Sequence, residues 1–184
     1  MIRALTLRHP WAWCVRDLGK DVENRTWAAP KSMIGQHIAI HGGAIPKGAA
    51  RDDAMADLKW ISSLLNSGRL KDFNTPAERQ AIKQRLISTF GGEKYPTLTF
   101  SLEPAITPGI VGVARLVQCV NMDEFSGSSN PWAVGPWLWE LGEFVRFDEA
   151  VPCKGAQGLW EIPRDALLEV RARYRLAREA NGLD

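Results

Sequence analysis

The run from Gly109 to Val120 constrains the fold of this chain most, because ten of its twelve residues are apolar or glycine and many are β-branched. This composition indicates a strand buried in a sheet. Gly142 marks a predicted bulge in a later strand. Shorter alternating or β-rich segments predict the other strands at Ile2–Leu7, Val22–Trp27, Gln36–His41, Pro136–Phe147 and Leu159–Ile162.

Helical patterns lie between these strands. Pro10 suits the first turn of a short helix that runs to about Leu18, and Gly19 follows as its terminator. Residues 44–96 then form a helical block. Its first pattern covers Ala49–Asn66 and ends at Ser67 and Gly68.

The second helix of the block begins with a capping box at Thr75-Pro76-Ala77-Glu78. Ile82, Leu86 and Phe90 form one apolar stripe, so this helix is predicted to extend to Gly91-Gly92. After the last strand, residues 164–181 predict a helix with one apolar face, made of Leu167, Val170, Tyr174 and Ala177.

This order of elements predicts one α+β domain over residues 1–184. Short strands with one early helix suggest a small barrel of mixed strands. The two-helix block at 44–96 is expected to be an insertion between strands, and the last helix follows the barrel.

Composition and segment lengths exclude several classes of protein. The chain has 184 residues, of which 45% are apolar and 24% charged, as in an ordinary globular protein. No apolar run approaches the roughly 20 residues of a membrane helix, and the first residues lack a signal-peptide pattern, so a cytoplasmic location is expected. Neither the widely spaced cysteines nor the histidines have the spacing of a disulfide framework or a zinc site.

The densest group of polar residues is Lys20-Asp21-Val22-Glu23-Asn24-Arg25-Thr26. If this segment is extended from Val22, Glu23 and Arg25 share one face, and Lys20 at the turn can curl toward them. A carboxylate between two cations can stay ionised and accept a proton, and the cations can stabilise an oxyanion. Spacing alone leaves an alternative open, namely a solvated surface turn with a local salt bridge.

Several separated motifs resemble the ASCH domain family and occur in its order. Leu5–Ala12, Lys20–Trp27 and Ile38–His41 resemble the start of the domain. Asn130–Glu140 and Pro152–Trp160 resemble the C-terminal half of bacterial and phage members. The resemblance covers residues 2–43 and 110–163, and the helical block lies outside it.

The family hallmark is Gly-x-Lys-x-x-Glu-x-Arg, and Lys20, Glu23 and Arg25 match it. The glycine of the hallmark falls at Leu18, whereas this chain has its glycine at the next position. The resemblance implies a PUA-like β-barrel whose hallmark residues line a cleft. It also implies one of two activities: some members remove an acyl group from the exocyclic amine of cytidines, and others bind nucleic acid or act as ribonucleases.

The expected function is therefore a hydrolase, an amidohydrolase of acylated cytidine-like nucleosides. Glu23 is expected to be the general base, acting on water or on a protein nucleophile. Lys20 would stabilise the oxyanion and help to protonate the leaving amine, and Arg25 would orient Glu23 and tune Lys20. This chemistry needs no cofactor and no metal. The residues expected to contact substrate are Trp11 or Trp132, stacked on the base, together with Asn24, Thr26 and His41.

Small amidohydrolase members of the family differ from this chain at one position. Their hallmark reads Lys-x-x-Thr, and a separate downstream glutamate completes the site. This chain has Glu23 at the threonine position. The loop from Asp123 to Trp132 roughly corresponds to the region of the downstream glutamate, and Asp123 and Glu124 are the acids nearby.

The distribution of charge favours a small ligand over a polymer. Residues 44–96 carry a net charge of +3 and the last helix +2, which leaves the barrel-forming remainder at −3. A surface that binds phosphates should be basic. Four arginines nevertheless fall along one side of the last helix. The alternative function is therefore an RNA-binding module, with or without ribonuclease activity. A third hypothesis is an adaptor that catalyses no reaction. These arginines are Arg164, Arg171, Arg175 and Arg178.

Overall fold

Twelve helices and strands make up the described parts of the computed structural model, which are residues 2–70, 75–90, 97–125 and 130–182. None of the helices in these ranges is long and apolar enough to cross a membrane. The elements are β1 (Arg3–Leu7), α1 (Trp11–Asp17), β2 (Val22–Arg25), β3 (His37–Gly42), α2 (Ala49–Ser67), α3 (Pro76–Leu86), β4 (Ile87–Phe90), β5 (Thr97–Phe100), β6 (Gly109–Asn121), β7 (Trp137–Val151), β8 (Leu159–Glu161) and α4 (Arg164–Ala180).

Six strands form one curled sheet, a half-barrel, in the order β2-β7-β6-β3-β1-β8. The sheet is mixed, because β1 runs parallel to β3 and every other neighbouring pair is antiparallel. The long strand β6 lies inside the sheet, as its composition predicts, and its first six residues are buried. The predicted α+β class is thus confirmed, as is a curled sheet of mixed strands.

Strand alternation divides the core between the two faces of the sheet. In β1, Leu5 and Leu7 point to one face while Ala4 points to the other, and in β3 Ile40 and Ala39 divide in the same way. The first face packs against α1, which contributes Ala12 and Val15, among others. The second face is covered by α4 through Val170, whose side chain is fully buried.

The two ends of the segment between β3 and β6 meet at the sheet. A Cβ added at Gly42 would lie 1.8 Å from the carbonyl oxygen of Thr107, so only glycine permits this approach. The ring of His9 joins both ends: its Nε2 lies 2.9 Å from the carbonyl oxygen of Gly43, and its Nδ1 lies 3.3 Å from the backbone nitrogen of Thr107. The residues between therefore leave and rejoin the sheet at one place.

Several predicted helix boundaries are confirmed by the structure. Gly19 and Gly68 adopt left-handed conformations, with φ of 65° and 72°, directly after their helices. Thr75 and Glu78 form both halves of the capping box. In the last helix, Val170 and its neighbours Leu167 and Tyr174 pack on the sheet as expected.

The predicted end of the second inserted helix is wrong. The helix α3 ends at Leu86, and Ile87 has extended dihedral angles of −107° and 119°. Residues 87–90 then pair in antiparallel register with Thr97–Phe100. The β-branched residues Ile87 and Thr89 favour a strand, and the ladder outweighs the helical spacing of Phe90. The predicted stop at residues 91–92 lies outside the described residues.

The strand β7 ends four residues later than predicted and contains the expected irregularity. Its register against β6 shifts between Gly142 and Val145, so one extra residue is accommodated there. Glu143, inside this bulge, has a φ of 49°, a conformation that only a few per cent of non-glycine residues adopt. The predicted bulge at Gly142 is therefore displaced by about one residue.

Candidate functional site

Lys20, Glu23 and Arg25 form a buried chain of charges. The Lys20 Nζ lies 2.8 Å from Oε2 of Glu23 and also donates to the carbonyl oxygen of Val22. The Arg25 Nε lies 3.1 Å from the other carboxylate oxygen, Oε1. The Lys20 side chain is only 1% exposed and that of Glu23 10%. The arrangement is thus an enclosed carboxylate between two cations, and it differs from the solvated surface turn that the spacing left open.

Local backbone structure sets this geometry. The backbone N–H groups of Leu18 and Lys20 both donate to the carbonyl oxygen of Cys14, which closes the end of α1 and turns the chain at Gly19. The following strand β2 pairs with β7, with Glu23 opposite Trp139. Because side chains alternate along a strand, Glu23 and the residue two positions later share a face. Arg25 is further held by a 2.9 Å hydrogen bond from its guanidinium to the carbonyl oxygen of Thr6.

These three residues line a cavity of about 840 Å³. That volume lies within the range of small-molecule sites, roughly 300–1,000 Å³. Its aromatic walls are Trp11 and Trp27. One wall comes from the segment between β3 and β6, through Pro46, Ala50 and Asp53. The inserted segment, which lies outside the family resemblance, is therefore part of this site.

Trp11 connects the cavity to α2. Its ring lies 5.8 Å from the Lys20 Nζ, within cation–π range. Its Nε1 donates to Asp57 at 3.1 Å, and Arg8 forms an ion pair with the same carboxylate oxygen at 3.1 Å. Burial raises the pKa of Asp57, against the opposing effects of Arg8 and Trp11. Trp11 is thus available to a ligand only on the part of its ring that faces the cavity.

Asn24 lines the cavity, but its side chain is hydrogen-bonded to the backbone of the segment that contains Trp132, Val134 and Gly135. Its Nδ2 donates to the carbonyl oxygen of Trp132 at 2.8 Å. Its Oδ1 accepts hydrogen bonds from the backbone N–H groups of Val134 and Gly135, at 3.0 and 2.9 Å. Both lone pairs of Oδ1 are therefore engaged, and one N–H remains for any ligand.

The structure places Trp132 in the core instead of on the cavity wall. It is 1% exposed, and it packs in a cluster with Trp13 and Leu138. The expectation that it stacks on a base is corrected accordingly, because its ring faces are covered by apolar neighbours. Thr26 is exposed beyond the end of β2 and does not line the cavity.

His41 is also placed away from the cavity. It is 2% exposed, its Nε2 lies 3.1 Å from the carbonyl oxygen of Cys153, and its ring packs edge-on against Trp160. Gly155 covers the ring so closely that a Cβ there would lie 2.5 Å from Cε1. Burial lowers the pKa of His41, which favours a neutral ring. The expected substrate contact is replaced by a packing role.

The acids considered from the sequence, Asp123 and Glu124, do not line the cavity, and neither do Cys14 and Cys153. Asp123 and Glu124 are exposed in a short 3-10 turn after β6. Burial raises the pKa of Cys14 and of Cys153, so neither thiol is disposed to form a thiolate. In the described parts of the chain, no three His, Cys, Asp or Glu side chains lie close enough together to hold a metal ion.

Sequence reasoning missed Asp53 and Trp27 as cavity residues. Asp53 stands one helical turn before Asp57, so the two share one face of α2. The spacing of the two acids is visible in the sequence, but tertiary packing decides which face of α2 points toward the cavity. Trp27 lies just beyond the charged segment and packs edge-on against Trp139, with ring centroids 4.6 Å apart.

The arrangement as a whole can bind a flat, polar molecule and present it to a buried Lys–Glu pair. No protein-family model matches the chain and no curated protein matches it, so the resemblance to the ASCH family rests on the motifs themselves.

Proposed function

We propose that the protein is an amidohydrolase that removes an acyl group from the exocyclic amine of a cytidine-like nucleoside. One observation carries this proposal: Lys20 and Glu23 are joined at 2.8 Å, almost without exposure, at the wall of a cavity large enough for a nucleoside. The resemblance to the ASCH family points to the same activity. The PUA-like nature of the half-barrel, the single-domain organisation and a cytoplasmic location belong to this proposal.

The reaction is a hydrolysis, and each charged residue has a task in it. Glu23 accepts a proton from water while the water oxygen bonds to the acyl carbon. The developing oxyanion is stabilised by Lys20, and the C–N bond then breaks. The proton passes to the leaving amine with the help of Lys20, so the products are the free nucleoside and a carboxylic acid.

Hydrogen-bonding capacity supports these roles. An ammonium group has three N–H donors, and Lys20 uses two of them for Glu23 and Val22. One donor is left for an oxyanion. Each carboxylate oxygen of Glu23 contacts one cation and keeps a further lone pair that can accept from water. Arg25, held by Thr6, fixes the orientation of the carboxylate.

The test is the conversion of N4-acetylcytidine into cytidine and acetate, followed by chromatography. We expect Lys20→Ala and Glu23→Gln to lower kcat/KM by at least about 100-fold, as removal of an oxyanion donor or a general base does elsewhere. Lys31→Ala is the matched control, because Lys31 is exposed and does not line the cavity. Circular dichroism and thermal unfolding verify that the variants fold. Absence of turnover by the wild type at every enzyme concentration would refute the proposal.

An RNA-binding module is the second candidate, favoured by the surface of α4. Arg164, Arg171 and Arg175 are exposed on this helix, whereas Arg178 lies over the ring of Tyr174 at 5.7 Å. Binding of single-stranded RNA that weakens steeply with salt, and that survives Lys20→Ala, would favour this candidate. Replacing the three exposed arginines should then reduce the salt dependence.

A further inference from the structure

Every cation on the cavity wall, among the described residues, already has a carboxylate partner. Lys20 and Arg25 share Glu23, at 2.8 and 3.1 Å, and Arg8 pairs with Asp57 at 3.1 Å. A phosphate that entered this cavity would have to share a cation with the carboxylate that already neutralises it, so it would gain less than at an unpaired cation. Among the described residues, the cavity wall therefore carries no uncompensated cation that would attract a strongly anionic group.

Asp53 is the opposite case, an acid on the cavity wall without a counterion in the described part of the chain. It lies on α2 and is exposed, and its carboxylate has neither a hydrogen bond nor an ion pair with any residue that the structure describes. The nearest helical neighbour on its face, Asp57, is engaged by Arg8 and Trp11. Asp53 thus keeps all the acceptor capacity of a carboxylate for a ligand.

A free carboxylate discriminates between ligands in a defined way. It accepts hydrogen bonds from hydroxyl groups, and two adjacent sugar hydroxyls can satisfy its two oxygens together. It repels a phosphate, because like charges a few ångströms apart in a partly enclosed cleft interact unfavourably. Both effects act in the same direction, in favour of an uncharged sugar.

We propose that Asp53 is a specificity-determining residue that accepts hydrogen bonds from the ribose hydroxyls and excludes phosphorylated substrates. The inference rests on the proposed function, since it names the substrate class of the same cavity: free nucleosides, as opposed to nucleotides or RNA. Asp53 belongs to the inserted segment, so this selectivity comes from outside the part of the chain that carries Lys20 and Glu23.

The test compares kcat/KM for N4-acetylcytidine with kcat/KM for its 5′-monophosphate. We expect the wild type to prefer the nucleoside by about tenfold or more, and Asp53→Asn to reduce that ratio by about tenfold, mainly through KM. High salt should shrink the ratio in the wild type more than in the variant. Asp52→Asn is the matched control, because Asp52 is the adjacent exposed acid on α2 and does not line the cavity.

Two results would overturn this inference. One is an unchanged ratio in Asp53→Asn. The other is an equal loss of kcat for both substrates together with the loss of one limb of the pH profile, which would make Asp53 an acid–base catalyst.

Failure of the proposed function is distinguished by equilibrium binding, measured by calorimetry with cytidine and cytidine 5′-monophosphate. These ligands report on selection by the cavity without any hydrolysis. Preference for cytidine that is lost in Asp53→Asn supports the inference even if N4-acetylcytidine is not turned over. Tighter binding of the monophosphate by the wild type contradicts it.

Discussion

At the scale of single residues, Asn24 shows how a side chain beside the cavity can serve the architecture. Its three hydrogen bonds hold the backbone at Trp132, Val134 and Gly135. A Cβ at Gly135 would lie 2.6 Å from the Cβ of Asn24, so this segment is packed tightly on the strand. The wall of the cavity at Val134 therefore depends on Asn24.

Asn24→Ala is expected to lower the free energy of unfolding by about 2 kcal/mol, because it leaves partly buried backbone groups without partners. Urea denaturation measures this loss. Asn66→Ala is the matched control: this residue is exposed near the end of α2, and the substitution should change stability by less than about 0.5 kcal/mol. Equal effects of the two substitutions would contradict the role assigned to Asn24.

The residue scale also shows which parts of the site can be predicted from sequence. The proximity of Lys20, Glu23 and Arg25 follows from the period of a strand and one turn, which are local. The surroundings of Trp132 and His41 depend on segments far away in the chain, such as the cover that Gly155 provides. Trp132 was therefore expected to stack on a substrate base, although tertiary packing buries it.

At the scale of elements, Trp60 anchors α2 to the rest of the protein. Its ring lies 6.0 Å from that of Trp11, in a tilted geometry, and 6.3 Å from that of Trp132, in an edge-on geometry. The ion pair between Arg8 and Asp57 adds a second connection. These contacts set the position of the wall that carries Asp53.

Trp60→Ala is expected to cost about 1–3 kcal/mol of stability, since two aromatic contacts are lost from a side chain that is 37% exposed. The same change should raise KM for N4-acetylcytidine several-fold with a smaller effect on kcat, because the wall moves while Lys20 and Glu23 stay in place. Trp60→Phe, which keeps an aromatic ring, should have a stability and a KM close to those of the wild type. Wild-type stability and KM in Trp60→Ala would show that α2 is positioned by other contacts.

Element boundaries were predictable where one local signal decided them. The glycines after α1 and α2 and the capping box of α3 are such signals. The end of α3 was not predictable, because residues 87–90 satisfy a helical spacing and a β-strand composition at once. Pairing with Thr97–Phe100 decides between them, and that pairing is not visible in either segment alone.

At the scale of the whole molecule, two buried histidines link stability to pH. Burial lowers the pKa of both His9 and His41. His9 accepts a hydrogen bond from the backbone N–H of Thr107 through Nδ1, which a protonated ring cannot do. The folded protein thus binds fewer protons than the unfolded chain over the range where these rings titrate.

The contribution of the two neutral histidines to the free energy of unfolding is therefore fully present above the ordinary histidine pKa of about 6.5. It decreases as the pH falls below that value. The slope should approach about 1.4 kcal/mol per pH unit for each histidine that stays neutral when folded. Urea denaturation at several pH values between about 5.5 and about 7.5 measures this slope. His9→Gln and His41→Gln should each reduce the slope, whereas His37→Gln, on a half-buried ring, serves as the control. A flat profile in the wild type would contradict the prediction.

Apart from the β4–β5 hairpin, the class and element order of the molecule were predictable, because they follow from local periodicity. The parallel pairing of β1 with β3 and the insertion's place on the cavity wall were not, since both depend on contacts between distant segments. The net charge of −3 is a sum over the barrel-forming residues alone. The cavity is lined by these residues and by residues of the segment between β3 and β6, so that sum does not describe the charge around a ligand.

The position of β1 in the sheet has a consequence for how the protein is made. β1 lies between β3 and β8, and its residue Arg3 pairs with Glu161. A ribosome releases β1 before β8, so the second edge of β1 stays open until residues 159–161 have emerged. Completion of the sheet is consequently a late event in biosynthesis, as expected for a topology rich in long-range contacts. Until then the unpaired edge of β1 is a surface that chaperones can protect.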